Sequence, residues 1–247
     1  MTDTNDSRPV VLEVKNLAKA FGGITALTNF NLTVRKGDIH CLIGPNGAGK
    51  TTVLKIITGV YPPTSGRVTL NGRDITGMRS NKVVSNGIAI KMQVPGVYPE
   101  MTMYDNMVIA AQNYVPKHEL RSEIERLTKL MKIDTLGNPL VKNMSHGQQQ
   151  WLEIAMALAS KPSILFLDEP AAGLGPEETE FTAELVKDLN KQGMTILFIE
   201  HDMNFVRSIA QQVTVLHHGR KFAEGTLDDI LNNEEVVEIY LGKEAGK

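Results

Sequence analysis

The chain has 247 residues, of which 42% are hydrophobic and 22% charged, with a net charge of −2 at pH 7. Those values describe an ordinary globule with material for a proper core; the near-neutral charge argues against a nucleic-acid binder, and a lone Cys41 excludes an intrachain disulfide framework. The opening MTDTNDSRPV lacks the apolar centre of a secretory signal, and no run reaches the roughly 20 apolar residues of a membrane span. The expectation is a cytosolic chain whose membrane role, if any, comes through a partner.

In chain order, residues 10–43 read as β-rich, with RKGD at 35–38 as a turn. The apolar IHCLI then runs into GPNGAGKT at 44–51, which matches G-x-x-x-x-G-K-[ST], the P-loop. Glycines there let successive backbone N–H groups converge on phosphate oxygens at the positive end of the next helix. Gly44, Asn46, Gly47, Ala48, Gly49, Lys50, Thr51 and Thr52 are therefore candidate nucleotide contacts. Lys50 is expected to reach the β- and γ-phosphates and the Thr51 hydroxyl to hold Mg²⁺. The helix TTVLKIIT stops at Gly59, and Asn71 with Gly72 between apolar runs signals a hairpin.

Residues 101–160 have helical texture. Leu120, Ile124, Leu127 and the pair Leu130 and Met131 share one face. Met92, Met101, Met103 and Met107, beside Val97 and Tyr98, suit either a groove for a short partner helix or the segment's own core. In NMSHGQQQWLEIAMALA, at 143–159, Ser145 and Gln148 fit a capping box ahead of a stripe of Trp151, Ile154, Ala155 and Leu158. A capped helix explains the serine and glutamine. It leaves Gly147 unexplained, and a glycine at a helix mouth leaves room for an anion. Two apolar runs follow, ILFL at 164–167 and TILFI at 195–199, each read as a buried parallel strand. VTVLHHGRKFAEG reads as a final hairpin before short helices.

Ligands of open α/β sheets lie beyond the carboxyl ends of the strands. The three apolar runs end at Gly44, at Asp168 and Glu169, and at Glu200 and His201. Asp168 is then a candidate Mg²⁺ ligand through water, Glu169 a candidate general base for attack on the γ-phosphate, and His201 a candidate γ-phosphate contact. The bland alternatives are a helix-start carboxylate for Glu169 and a surface or capping histidine for His201.

GPNGAGKTT, MSHGQ, ILFLDEP and EHD, in this order and spacing, resemble the ATPase subunits of ABC transporters over nearly the whole chain. The resemblance implies an α/β fold: a P-loop NTPase core with a mainly parallel sheet, an N-terminal antiparallel β subdomain and an inserted α-helical subdomain. It implies one domain over 8–247, with 1–94 and 161–247 as the core and about 95–160 as the helical insertion. In that family a partner's signature motif completes each ATP site across a head-to-tail dimer. Ser145, His146, Gly147 and Gln148 match it, His146 standing where the family carries glycine. The resemblance also makes Gln93 the glutamine that approaches Mg²⁺ and the attacking water, and Phe21 the aromatic that stacks on adenine, with a core phenylalanine as the alternative. Gly175 stands where relatives carry Asp or Asn, so that contact between subunits is either absent or made by backbone.

The resemblance implies ATP and Mg²⁺ as cofactors and a homodimer, or a heterodimer with a paralogous ATPase. It further implies transmembrane permease subunits, a solute-binding protein upstream and a place at the cytoplasmic face of the cell membrane, with no nucleic acid. DEPAAGL, PEET and VVEIYLG resemble branched-chain amino acid importers, while SHGQQQWLEI and VTVLHHG resemble urea importers; a lipopolysaccharide exporter shares the YLG ending. The rival classes are an ABC ATPase acting on ribosomes or DNA, and a nucleotide-binding regulator without turnover.

Overall fold

The computed structural model describes residues 7–91 and 96–241. In chain order, β1 (Val10–Phe21), β2 (Ile24–Arg35) and β3 (Ile39–Ile43) precede α1 (Lys50–Ile57), and β4 (Ser65–Leu70), β5 (Arg73–Asp74), α2 (Ser80–Ser85) and β6 (Ile88–Lys91) follow. The helical stretch holds α3 (Met103–Ala111), α4 (Leu120–Leu130) and α5 (His146–Leu158). Then come β7 (Ile164–Asp168), α6 (Pro176–Lys191), β8 (Thr195–Ile199), α7 (Met203–Ile209), β9 (Gln212–His217), β10 (Arg220–Gly225), α8 (Leu227–Leu231) and α9 (Glu234–Leu241).

Two sheets result. One is antiparallel in the order β2-β1-β4-β5; the other runs β10-β9-β3-β8-β7-β6, parallel except at β10. Every residue of β3, β7 and β8 is buried, as continuous apolar runs demand when both faces of a sheet are covered. Their period of two divides the core. Ile39, Cys41, Leu165, Leu167, Ile196 and Phe198 pack with the helices after β6. Leu42, Ile164, Phe166, Leu197 and Ile199 pack with α1 and the antiparallel sheet. The layering puts the carboxyl ends of β3, β8 and β7 side by side on one edge.

The expected hairpin turn forms, with Asn71 at φ 49° and Gly72 at φ 78°. Gly59 ends the helical turn after α1 at φ 74°. Two apolar readings are refined. Met103 and Met107 are buried in the core that α3 shares with α5, so these two are packing; Met101 is half-buried, Tyr98 is exposed, and Met92 lies outside the described residues. Trp151, placed in the buried stripe, is half-exposed instead. Its ring lies 4.4 Å from that of Phe181, and its Nε1–H donates to Thr182 Oγ1 at 3.0 Å. Among the described residues no helix is long and apolar enough to cross a membrane.

Candidate nucleotide site

The loop between β3 and α1 is built close against its neighbours. A Cβ on Gly44 would stand 2.2 Å from Leu216 O, so only glycine lets β3 leave the sheet at that point. The turn between β9 and β10 braces the loop, because Gly219 N–H donates to Ala48 O and Gly219 O accepts from Thr28 N–H, both at 2.9 Å. Helix α1 begins at Gly49 with no side-chain cap and no acid in its first turn. The first N–H groups of a helix have no partners within it, and a phosphate is the kind of group that satisfies them. Lys50 donates its ammonium to Gly44 O at 2.6 Å and Pro45 O at 3.2 Å, curling over the same loop. Burial holds its pKa below the usual lysine range, against the raising pull of Glu169 and Asp168. Thr51 is exposed and Thr52 half-exposed on the first turn of α1.

Phe21 sits at the end of β1 with its ring 40% exposed, which removes the core reading. Tyr61 meets it edge-on at 5.3 Å, and Lys19 Nζ stands 4.8 Å from its centroid. The ring is thus held by its surroundings while part of it remains free to stack.

Acids gather at the ends of β7 and β8. Asp168 is 4% exposed, and burial first, then the neighbouring Glu169, raises its pKa above the usual carboxylate range. Glu169 adopts φ 50°, anchored by its N–H to Ile199 O at 3.0 Å, and its side chain is 25% exposed. His201 Nδ1 lies 3.7 Å from Glu169 Oε1 and 3.4 Å from Glu200 Oε2. Glu200 is the inner brace: almost wholly buried, it accepts Ala171 N–H at 3.1 Å and His201 N–H at 2.8 Å. Gln93 lies outside the described residues. Among those residues no cluster of three or more His, Cys, Asp or Glu could hold a metal alone. The donors here, one hydroxyl and one carboxylate beside a phosphate loop, suit Mg²⁺ shared with a nucleotide.

A second helix start behaves differently. Ser145 Oγ caps α5 by accepting Gln148 N–H at 3.2 Å, and Gln148 Oε1 accepts Ser145 N–H at 2.9 Å, completing the expected capping box. The space beside Gly147 is not open. A Cβ there would meet Glu178 Oε1 at 2.6 Å, and Ser145 Oγ donates to that same oxygen at 3.2 Å. The chain's own carboxylate lies where an anion was expected. His146 is turned onto the segment after Glu169, its Nε2 3.3 Å from Ala172 O and 3.0 Å from Gln150 Nε2. Gly175 begins α6 and donates its N–H to Glu178 Oε2 at 3.3 Å, so the same carboxylate spans both helix starts.

Comparison with known proteins agrees with this geometry. The ABC transporter family model matches residues 27–172. The chain belongs to the ABC transporter ATPase family. A second model, described as a branched-chain amino acid ATP-binding cassette transporter, matches residues 220–246. The chain is 37% identical to the high-affinity branched-chain amino acid transport ATP-binding protein BraF of Pseudomonas aeruginosa, over 96% of this chain and 99% of that one. It is 38% identical to LivG of Escherichia coli K12, which carries the same description, at the same coverages. A solved ATP-binding cassette of an ABC transporter in its ADP conformation superposes with a TM-score of 0.87 at 30% identity, covering 94% of this chain and 99% of the other. A dimeric bacterial ABC transporter cassette gives 0.78 at 28% identity, covering 87% and 98%. The fold is that of an ABC ATPase, the chain is an ATP-hydrolysing transporter subunit, and such cassettes work as dimers with membrane permeases.

Three groups in this ABC ATPase escaped sequence reasoning. Glu178 reaches Ser145 across 33 positions, Lys91 reaches Asp168 O across 77, and Glu153 bonds Gly96 across 57. Lys91 and Glu153 belong to no local motif, and their only signal was an ionisable residue in an otherwise apolar run. Glu178 has a local role as the third residue of α6, facing Gly175, which gives no sign of its reach to Ser145.

Proposed function

We propose that this chain is one of the paired ATPases of a branched-chain amino acid importer, held against permease subunits at the cytoplasmic face of the membrane. The observation that carries the ATP reading is the uncapped, acid-free start of α1 beside the acids that end β7 and β8. The names of the similar proteins and the match at 220–246 support the solute class.

In this reading the loop of Gly44, Asn46, Gly47, Ala48 and Gly49 wraps the phosphates with its backbone N–H groups, and Lys50 turns from its own carbonyls to the β- and γ-oxygens. Thr52 follows on the first turn, and Phe21 stacks on adenine. Thr51, Gln93 and, through water, Asp168 would hold Mg²⁺, which neutralises phosphate charge when bound. Glu169 accepts a proton from the attacking water, and His201, oriented by Glu200, contacts the γ-phosphate. A second cassette, identical or paralogous, brings Ser145, His146, Gly147 and Gln148 to the same ATP. Closure of the pair moves the permease and hydrolysis resets it. The contact with the permease follows the cavity of about 260 Å³ lined by Val84, Ile90, Tyr114, Met156 and Ala157, where the helical insertion of residues 95–160 meets the core of 1–94 and 161–247.

Glu169→Gln is the test. Loss of the base slows hydrolysis roughly 10²–10⁴-fold and leaves an ATP-bound dimer on a sizing column. A variant that hydrolyses within tenfold of the parent, or stays monomeric with MgATP at high protein concentration, overturns the reading. Pull-down from native membranes followed by uptake of labelled leucine tests the solute; leucine-independent uptake of urea would redirect it.

A further inference from the structure

Lys91 has no part in holding phosphate, yet it is 4% exposed among acids. It closes β6, in register with Leu167 of β7. Its ammonium passes the end of β7 and donates to Asp168 O and Glu169 O, both at 3.4 Å. These carbonyls belong to the two peptide groups that flank the Glu169 Cα. Glu169 is left-handed at φ 50°, a backbone that a residue with a side chain holds only where its surroundings impose it. Ile199 O takes the Glu169 N–H, and Lys91 holds the peptide oxygens on either side. Together they set the direction in which the Glu169 carboxylate leaves the chain.

Lys91 also lines the cavity of about 260 Å³, with Gly96 beside it and Glu153, Met156 and Ala157 of α5 as the opposite wall. Glu153 is 8% exposed and accepts the N–H of Gly96. Burial lowers the Lys91 pKa, and Glu153 leads the carboxylates that oppose it. Burial likewise raises the pKa of Glu153, against the pull of Lys91. Glu153 thus stands on α5, two turns beyond Ser145, in the cavity that Lys91 also lines.

We propose that Lys91 is a positioning residue for ATP hydrolysis: it fixes the backbone on both sides of Glu169. The inference rests on reading Glu169 as the base. A misplaced base loses rate and not substrate affinity. The purified full chain with Lys91→Met should lose roughly ten- to a hundredfold in kcat. KM for ATP should stay within about twofold, and Lys91→Arg, which keeps the charge, should recover most of the loss. Parental kcat in Lys91→Met, or a loss in Lys91→Arg as deep as in Lys91→Met, overturns the proposal, the latter because packing alone would then explain it. Should Lys91→Met fail to fold, the shorter, neutral Lys91→Gln decides: lowered kcat at constant KM supports the clamp, and unchanged kcat overturns it. Glu169→Gln run beside them separates the two readings. If it is inactive while Lys91→Met is normal, only the clamp fails; if it hydrolyses normally, the base assignment falls first.

Discussion

Two helix starts in this chain meet the same electrostatic problem and solve it differently. At α1 the first N–H groups have no side-chain cap and no acid in the first turn. At α5 Ser145 and Gln148 close a capping box, and Glu178 adds a carboxylate. Both termini carry the same partial positive charge. The first is left for a ligand, with Lys50 folded over it; the second is satisfied within the chain. In the proposed reading a nucleotide binds the first by filling it. At the second, a partner's phosphate would meet Glu178 and would have to displace it. That reading assigns ATP affinity to α1 and the threshold for dimer closure to α5.

The largest effect expected from this division is at the first terminus. In the proposed reading Lys50→Ala removes the ammonium that reaches the phosphates, so turnover should fall on the order of 10²–10³-fold. ATP binding, followed by a fluorescent analogue, should weaken with it. If binding weakens while dimer formation at ATP high enough to saturate the variant is unaltered, the two termini are as separate as claimed. Activity close to the parent's would mean that phosphate is held elsewhere.

The first terminus is also the one whose support is sensitive to acid. His40 lies in β3, the strand that feeds the loop, 2% exposed and 2.8 Å through Nε2 from Thr214 Oγ1. Burial lowers its pKa from 6.5 to about 4, outweighing the raising pull of Glu224 and Asp38. A depressed value means that the unfolded chain takes the proton first. Its contribution is therefore complete above pH 6.5 and is lost as pH falls towards 4. The 2.5-unit difference corresponds to about 3 kcal/mol over that window. Urea titrations of the parent and of His40→Leu should diverge in slope against pH between 6.5 and 4, the variant being flatter. Parallel curves would show that His40 does not control acid loss.

Much of this was readable before any coordinates, for a physical reason. GPNGAGKT was legible because its residues form one contiguous motif, although Gly44 is also demanded by Leu216 O from β9. ILFL and TILFI are apolar on both faces, which only a covered sheet strand permits. The capping box at Ser145 is a contact over three residues. What stayed hidden acts over distance. Glu178 was one acid in the PEET stretch, and Lys91 was one base before Gln93, until the topology brought them to Ser145 and to the Glu169 turn. Gly147 shows the boundary between the two cases. Its need for space was legible, but not that the space belongs to Glu178. The methionines were ambiguous for a different reason: an apolar helix face has one period whether a partner or the chain's own core covers it, and Met103 and Met107 are covered by the core.

The smallest effect is the one that separates the two termini most sharply. Glu178 accepts Ser145 Oγ–H at 3.2 Å and Gly175 N–H at 3.3 Å, serving α5 and α6 at once. Replacing it with alanine removes a cap from α6, so thermal stability should fall by about 1 kcal/mol. The same change clears the anion from α5 and frees the Ser145 hydroxyl to donate elsewhere. An anion at a helix start contributes about 0.3–1 kcal/mol. In a Glu169→Gln background, the ATP concentration giving half-maximal dimer should then drop roughly two- to fivefold. Stability and closure move in opposite directions, which a general loosening of the chain would not produce. Glu178→Gln gives the finer reading, since it keeps the size and the α6 contact but removes the charge. If it also lowers the ATP requirement, charge at the α5 start sets the closure threshold. If Glu178→Ala raises the requirement, the carboxylate orients Ser145 for the partner's phosphate, and the second terminus is prepared for its ligand instead of guarded against it.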